Sequence, residues 1–400
     1  MSYDVCIIGA GLVGLGVGRA LAQSHPGIGL VILDKEPTVA AHQSSHNSGV
    51  VHSGLYYRPG SLKAKLCVEG RRALKELCSA EGISFHQSGK VVIATHRSEL
   101  AALDELERRG VANGLIGLRR LDQAGLRDIE PAAIGVAALH VPEAGVVDFP
   151  QVATSLAKTL ASGGADILTG QRVEAVSLDG QGARIRSGDM EIRARVAVNC
   201  AGLQSDRIAS LAGVRSDVRI VPFRGEYYTL TPEAAHLVRA LIYPVPDPRF
   251  PFLGVHFTRG IDGTVEVGPN AVLAIGREHY RGTSPNWAEL RETLGMPGFR
   301  KLARRHLWTG ASEMVRSRSR SMYARAARAL VPEVETRHLV RGGAGVRAQA
   351  VDPNGRLIDD FVIEEAGPSI HVLNAPSPGA TSSLAIGAHI AAIAGRRLGR

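Results

Sequence analysis

The apolar positions change rhythm along this chain. Val5 to Ile8 are unbroken apolar residues, as in a strand buried on both faces of a parallel sheet. GLVILDK (29–35) repeats that pattern. Between the two, apolar residues through Leu21 predict a helix. Far downstream, VAVNCAG (196–202) reads as another buried strand, with a helix starting near Ser205. HVLNAPSPGATSSLAIGAHIAAIAG (371–395) reads as strand, loop and helix. The intervening segments differ. GKVVIAT (89–95) is strand-like and SELAALDELERRG (98–110) is a charged amphipathic helix. From about Val214 to Glu335 strand-like runs dominate, among them RIVPFRGEYYTL, PFLGVHFTRG and TVEVGPNAV.

The first strand runs into Gly9, Gly11 and Gly14, a G-x-G-x-x-G turn that opens a helix. Asp34 ends the second strand 20 residues past Gly14, where an acid binds an adenosine ribose hydroxyl. The helix N-terminus then faces a pyrophosphate. Gly14, Gly16 and Gly18 together cost the helix roughly 1 kcal/mol each, so close approach to its backbone is expected. The expected fold is α/β (α+β overall). A Rossmann-like dinucleotide domain (1–85, 147–212 and 336–400) is interrupted by a mostly antiparallel β-sheet substrate domain (86–146 and 213–335). A chain of 400 residues agrees with two domains.

No second G-x-G-x-x-G follows a strand, which speaks against a pyridine-nucleotide-linked flavoprotein. A plain NAD enzyme has no use for SSHNSGVVHSGLYY (44–57). Ser44, Ser45, His46, Asn47, Ser48 and Gly49 are small, donor-rich and permit close backbone approach, which suits the pyrophosphate and ring of FAD. Val173, Gly202 and the turn Pro378, Gly379, Ala380, Thr381 and Ser382 are expected to complete the cofactor site. The N–H groups of 379–382 lie at a helix N-terminus, whose positive end would stabilise an anionic reduced flavin.

Five stretches carry a resemblance: SSHNSGVVHSGLYYRPGSLKAKLCVEG, PFRGEYY, PFLGVHFTRGIDGTVEVGPNAVLA, GVRAQAVDPNGRLIDDF and HVLNAPSPGATSS. With them the chain closely resembles the L-2-hydroxyglutarate oxidase/dehydrogenase family, within the FAD enzymes similar to D-amino-acid oxidase. The resemblance implies FAD, a 2-hydroxydicarboxylate substrate, a 2-oxo product and electrons passed to oxygen or a membrane quinone. It also implies Arg347 as the cation for the carboxylate beside the reacting carbon, where a bidentate fork suits a carboxylate. Flavin N5 would take the hydride.

His256, flanked by Val255 and Phe257, is the first candidate for the base that takes the hydroxyl proton. His52 is the second; it could instead bond the flavin. Tyr56, Tyr57, Arg58 and Lys63 are candidates for the far carboxylate, and Arg224 is a further one, better read as structural. Other substrates within reach of such a site are glycerol 3-phosphate, malate and amino acids. A flavin-binding, membrane-associated adaptor without turnover is the reading from another class.

Charge adds one feature. The net charge is +9, and between Arg300 and Arg328 nine cations accompany the single acid Glu313. Glu313 to Leu330 predicts a helix with Val315, Met322, Ala326 and Leu330 as its apolar stripe. SRSRSMYARAARAL is more basic than the resemblance leads one to expect. The opposite face suits solvent or an anionic membrane surface near a quinone; no nucleic-acid motif accompanies it. No His/Cys/Asp cluster has metal-ligand spacing, so no metal is expected. The four cysteines form no C-x-x-C pair, no leader pattern precedes the first strand, and no apolar run reaches ~18 residues. A reduced, cytoplasmic protein is expected, peripheral on the inner face of the membrane if it binds lipid. Oligomeric state is not legible.

Overall fold

The computed structural model describes residues 1–246, 254–280, 285–305 and 319–399. Two large sheets organise it. The first has strands Ser2–Ile8, Leu30–Leu33, Asp166–Leu168, Met190–Asn199 and Ser369–Asn374 in parallel. An antiparallel pair, Ala175–Asp179 and Gly182–Ser187, is laid against Met190–Asn199. Its two faces bury separate apolar clusters, around Ile7 and Leu15 on one side and Cys6 and Val31 on the other. That explains the unbroken apolar runs: both faces are covered.

Among the described residues the second sheet has nine strands and is antiparallel except where Leu241–Pro244 runs parallel to Lys90–Ala94. Its longest pairing joins Arg219–Leu230 to Leu339–Val351, with a bulge between Glu226 and Tyr228. The strand Leu339–Val351 therefore belongs here, although the range 336–400 was expected to lie wholly in the nucleotide-binding domain. Its Gly-Gly-Ala-Gly run hid the strand character.

The close approach expected at the glycines of the first helix, Leu12–Ser24, is made in part by the chain itself. A Cβ on Gly16 would lie 2.6 Å from the Ser383 carbonyl oxygen, and one on Gly387 would lie 2.3 Å from the Gly16 carbonyl carbon. Gly18 faces Ile32 and Leu160. What approaches this helix past its first turn is the chain's own C-terminal helix, Ser383–Leu398. Only Gly9, Gly11 and Gly14 serve the nucleotide turn. Gly9 has φ +110°, and a Cβ on Gly14 would meet the Gly9 carbonyl oxygen.

The basic helix is also corrected. Arg320–Arg328 is helical, and its buried side chains are Tyr323, Ala324 and Ala327. Leu330 is buried beyond its end, whereas Met322 is exposed and Ala326 only half-buried, so the predicted stripe was one position off. Glu313 and Val315 lie outside the described residues. Among the described residues no helix is long and apolar enough to cross a membrane. All four cysteines are free and buried.

Gly387→Ala is expected to destabilise the protein by about 1–3 kcal/mol, because a methyl group is forced into the facing helix. Thermal unfolding of both apoprotein and FAD-loaded enzyme should show it. A Tm lowered only in the loaded form would place the close contact at the cofactor instead.

Candidate active site

The period of two in the second sheet decides which residues can meet. Register pairs Thr258 with Glu266 and Phe223 with Arg347, and Leu241 lies beside Lys90. One face thus carries Lys90, Tyr243, His256, Tyr227, Arg347 and Gln349. The other face carries Val91, Ile242, Phe257, Val267 and Tyr228, packed against Tyr323 and Ala327. His256 projects oppositely to Phe257, which is fully buried in that cluster.

Between this face and the glycine turn lies a cavity of about 1390 Å³. Gly9, Gly11, Asp34, Ser44, His46, Asn47, Ser48, Val173, Gly202, Pro378, Gly379, Ala380 and Thr381 line it, as do His52, Tyr56, His256 and Arg347. Four expected cofactor residues do not. Gly14 packs the turn. The Ser45 hydroxyl donates to the Ala40 carbonyl, 2.6 Å away. Gly49 takes φ +69° and its N–H donates to the Asn47 side chain. Ser382 is fully buried behind the turn.

The volume exceeds the ~300–1,000 Å³ of ordinary ligand clefts, as a dinucleotide plus substrate requires. At the turn, the Asp34 carboxylate accepts from the Ala10 and Glu36 N–H groups at 2.8 and 2.9 Å, which fixes it at the end of its strand. The Ser44 hydroxyl accepts from the Leu12 N–H. Among the described residues the Gly11 and Val13 N–H groups have no acceptor, the state of an anion site at a helix N-terminus. In the 378–382 turn, Ser382 donates back to Pro378 and Gly379 to Pro376. Among the described residues the N–H groups left without acceptors are those of Ala380 and Thr381, a narrower pair than the sequence implied. The His52 Nδ1 and Tyr56 Oη atoms are likewise buried without partners. Buried polar atoms at a large cavity call for ligand acceptors and donors. The residues present fit FAD.

At the sheet wall the His256 ring stacks on Tyr243, with centroids 4.0 Å apart. Its Nδ1 lies 3.0 Å from the Gly254 carbonyl oxygen, so Nδ1 carries the proton and Nε2 keeps its lone pair. Burial, reinforced by Arg347 and Lys90 and opposed by that hydrogen bond, pushes the imidazole pKa down to about 3. His52 is pushed to about 3 as well, by burial first and then by Lys90. Its Nε2 lies 3.2 Å from the Ser377 hydroxyl. The Arg347 guanidinium donates to the Tyr227 hydroxyl. Tyr243 is hydrogen-bonded to Thr258.

The candidates for the far carboxylate separate. Lys63 Nζ is already bound to the Asp359 carboxylate at 2.8 Å. Tyr57 is hydrogen-bonded to Ser377. Arg58 is exposed and does not line the cavity. Arg224 pairs with Glu226 at 3.4 Å and donates to the Tyr280 carbonyl, a structural role. Tyr56 remains, its hydroxyl unpartnered. Sequence reasoning missed Lys90, Tyr227, Tyr243 and Gln349. Lys90 left a signal: one charge in a strand whose five residues are all buried.

One cluster of ligand-type side chains has no ligand spacing in the sequence. Glu36, His42 and Glu278 converge although their positions are far apart in sequence. Lys35 sits among them, 3.0 Å from both Glu278 and His42, and supplies the positive charge.

The model of the family described as FAD dependent oxidoreductase matches residues 4–393. This chain belongs to that family. It is an FAD-dependent oxidoreductase. It is 48% identical to L-2-hydroxyglutarate dehydrogenase of Indibacter alkaliphilus over 97% of both chains. It is 44% identical to the human mitochondrial L-2-hydroxyglutarate dehydrogenase, over 98% of this chain and 88% of that protein. The enzyme of that name from Escherichia coli K12 is 42% identical over 97% of this chain and 92% of its own. Among solved structures, L-alpha-glycerophosphate oxidase from Mycoplasma pneumoniae with FAD bound superposes with a TM-score of 0.80. It is 22% identical, and the match covers all of this chain and 95% of that one. Glycine oxidase from Geobacillus kaustophilus gives 0.73 at 20% identity, over 99% and 95%. The two structures share the fold.

The suppressed imidazoles have a measurable consequence. Each is neutral in the folded protein at pH values where the unfolded chain, with pKa near 6.5, takes a proton. Folding stability from this source is complete above about 6.5 and is lost as pH falls towards 3. His256→Phe should flatten the acid decline of Tm. An unchanged slope would show that the imidazole is not held neutral. In wild-type kcat/KM, which reports the free enzyme, neither imidazole should produce an acid limb near 6.5.

Proposed function

We propose that this enzyme oxidises L-2-hydroxyglutarate to 2-oxoglutarate. The carrying observation is the pairing of a neutral imidazole, His256, with the Arg347 guanidinium on one sheet face at the cavity. Bound FAD supplies the two-electron acceptor. Arg347 grips the carboxylate beside the carbinol carbon, and Tyr227 steers the guanidinium. His256 Nε2 takes the hydroxyl proton as the carbinol C–H leaves as hydride, which turns the alcohol into a ketone. Tyr243 fixes the imidazole plane by stacking, and the Gly254 carbonyl fixes its tautomer. A pKa near 3 makes a weak base in the empty site. A dianionic substrate alongside raises it, so base strength arrives with the correct ligand. On this reading His52, tied to Ser377, would help hold the cofactor rather than carry the proton.

Electrons pass on to oxygen or to a quinone. The quinone reading draws on Lys301, Arg304, Arg305, Arg320, Arg325 and Arg328, all exposed, while Phe299, Leu302, Tyr323 and Ala327 are buried beneath. On this reading the enzyme is cytoplasmic and peripheral, docked on anionic lipid. It should co-sediment with phosphatidylglycerol vesicles at low salt and release at high salt. Equal binding to neutral vesicles, or none, would leave that basic face simply solvated.

The deciding experiment is anaerobic. L-2-hydroxyglutarate should bleach the visible flavin bands of the purified enzyme, and the D isomer should not. Bleaching by glycerol 3-phosphate, malate or an amino acid instead would keep the fold and overturn the substrate. Bound FAD that none of these reduces would favour the adaptor. Arg347→Met should raise KM for L-2-hydroxyglutarate roughly tenfold or more, the scale of a lost charge-assisted hydrogen bond.

A further inference from the structure

Lys90 is 1% exposed, at the start of the strand Lys90–Ala94. Its ammonium lies 4.5 Å from the centroid of the Tyr56 ring and 4.7 Å from that of Tyr243. Both rings line the cavity. Among the described residues no acceptor bonds to Nζ and no carboxylate pairs with it. An ammonium buried on these terms is costly, and two ring faces compensate it only in part. Lys63, by contrast, has Asp359. Among the described residues the hydroxyl of this same Tyr56 ring is buried and without a partner. Among the described residues a donor with no acceptor thus lines the cavity, and a cation with no anion lies over the same ring. The cation is close enough to be the largest charge effect on His52.

We propose that Lys90 is the positive charge that recognises the second carboxylate of a dicarboxylate substrate, acting from behind Tyr56, whose hydroxyl donates directly to that carboxylate. The inference deepens the proposed oxidation and rests on it for the position of the first carboxylate at Arg347. Arg347 and Lys90 then hold the two ends of one dianion, with His256 and His52 between their fields. Lys90 is a specificity residue that touches neither the carbinol nor its proton. Burial lowers its pKa to about 7, so an incoming carboxylate also meets a group whose charge it stabilises.

The test uses the FAD-loaded enzyme and two unreactive acids. Glutarate has both carboxylates and butyrate only one, and neither has a hydroxyl to oxidise. Binding is read from the perturbed visible spectrum of the bound flavin. Lys90→Met keeps the apolar stem and removes the charge. It should weaken glutarate roughly tenfold or more and leave butyrate within about threefold. With L-2-hydroxyglutarate the loss should fall on KM, with kcat little changed. Should the methionine variant not fold, Lys90→Gln serves the same comparison. Equal weakening of glutarate and butyrate, or no change in either, in a folded FAD-loaded variant overturns the proposal. A wild type reduced by no 2-hydroxy acid would overturn the proposed oxidation instead, and the glutarate and butyrate titrations would still decide Lys90.

Discussion

Side-chain alternation in the second sheet is the constraint on which the site depends. A strand must send successive residues to opposite faces. Because Phe257, Val267, Ile242 and Val91 are held in an apolar cluster, His256, Tyr243 and Lys90 have no choice of side. A slip of one residue would bury the imidazole in that cluster and send Phe257 into the cavity. The apolar face thus fixes the polar one. The bulge between Glu226 and Tyr228 absorbs the extra glycine of the Leu339–Val351 strand, so Arg347 and Tyr227 still meet.

The segment 44–57 connects this wall to the nucleotide turn. Ser44 caps the first helix, and the His46 carbonyl lies where a Cβ on Gly345 would be, 2.6 Å away. The His52 N–H donates to Thr381, and Gly54 and Tyr57 offer their carbonyls to Asn113. Small residues allow a single strap to touch both sheets and the C-terminal turn. Its many hydroxyls and imidazoles serve two purposes, since some satisfy the strap's own backbone and some face the cavity.

That division marks where sequence stopped being informative. The two apolar runs, the glycine turn and Asp34 are local patterns, and they delivered the first sheet and its cofactor end. Alternation around His256 delivered its face. Ser45 and Gly49 were indistinguishable from Ser44 and Ser48 because a loop hydroxyl can turn inward to its own chain or outward to a ligand. Gly16 announced a close approach without saying by what, because its partner, Gly387, is 371 positions away in the chain. The Leu339–Val351 strand was hidden by glycines, and the stripe of the basic helix slipped by one position, the described helix running only from Arg320 to Arg328. Lys90 was visible as a charge in an apolar strand, but its meaning depends on Tyr56 and Tyr243, which reach it from elsewhere.

Electrostatics then accounts for why these residues belong together. The cavity wall carries Arg347 and, just behind the rings, Lys90; both histidines stay unprotonated first because they are buried, and this field adds to that effect. A neutral base beside fixed cations is unfavourable ground for another cation and favourable ground for an anion. Glu266, on the same face, is pushed up to about 7 by burial, which lessens its competition for the cations. An amino acid would add an ammonium group to a site already positive. A hydroxy acid adds none, and a second carboxylate offsets the remaining charge. On the proposed mechanism the substrate dianion offsets the positive field that adds to the effect of burial on His256, so substrate recognition and base strength draw on the same charges.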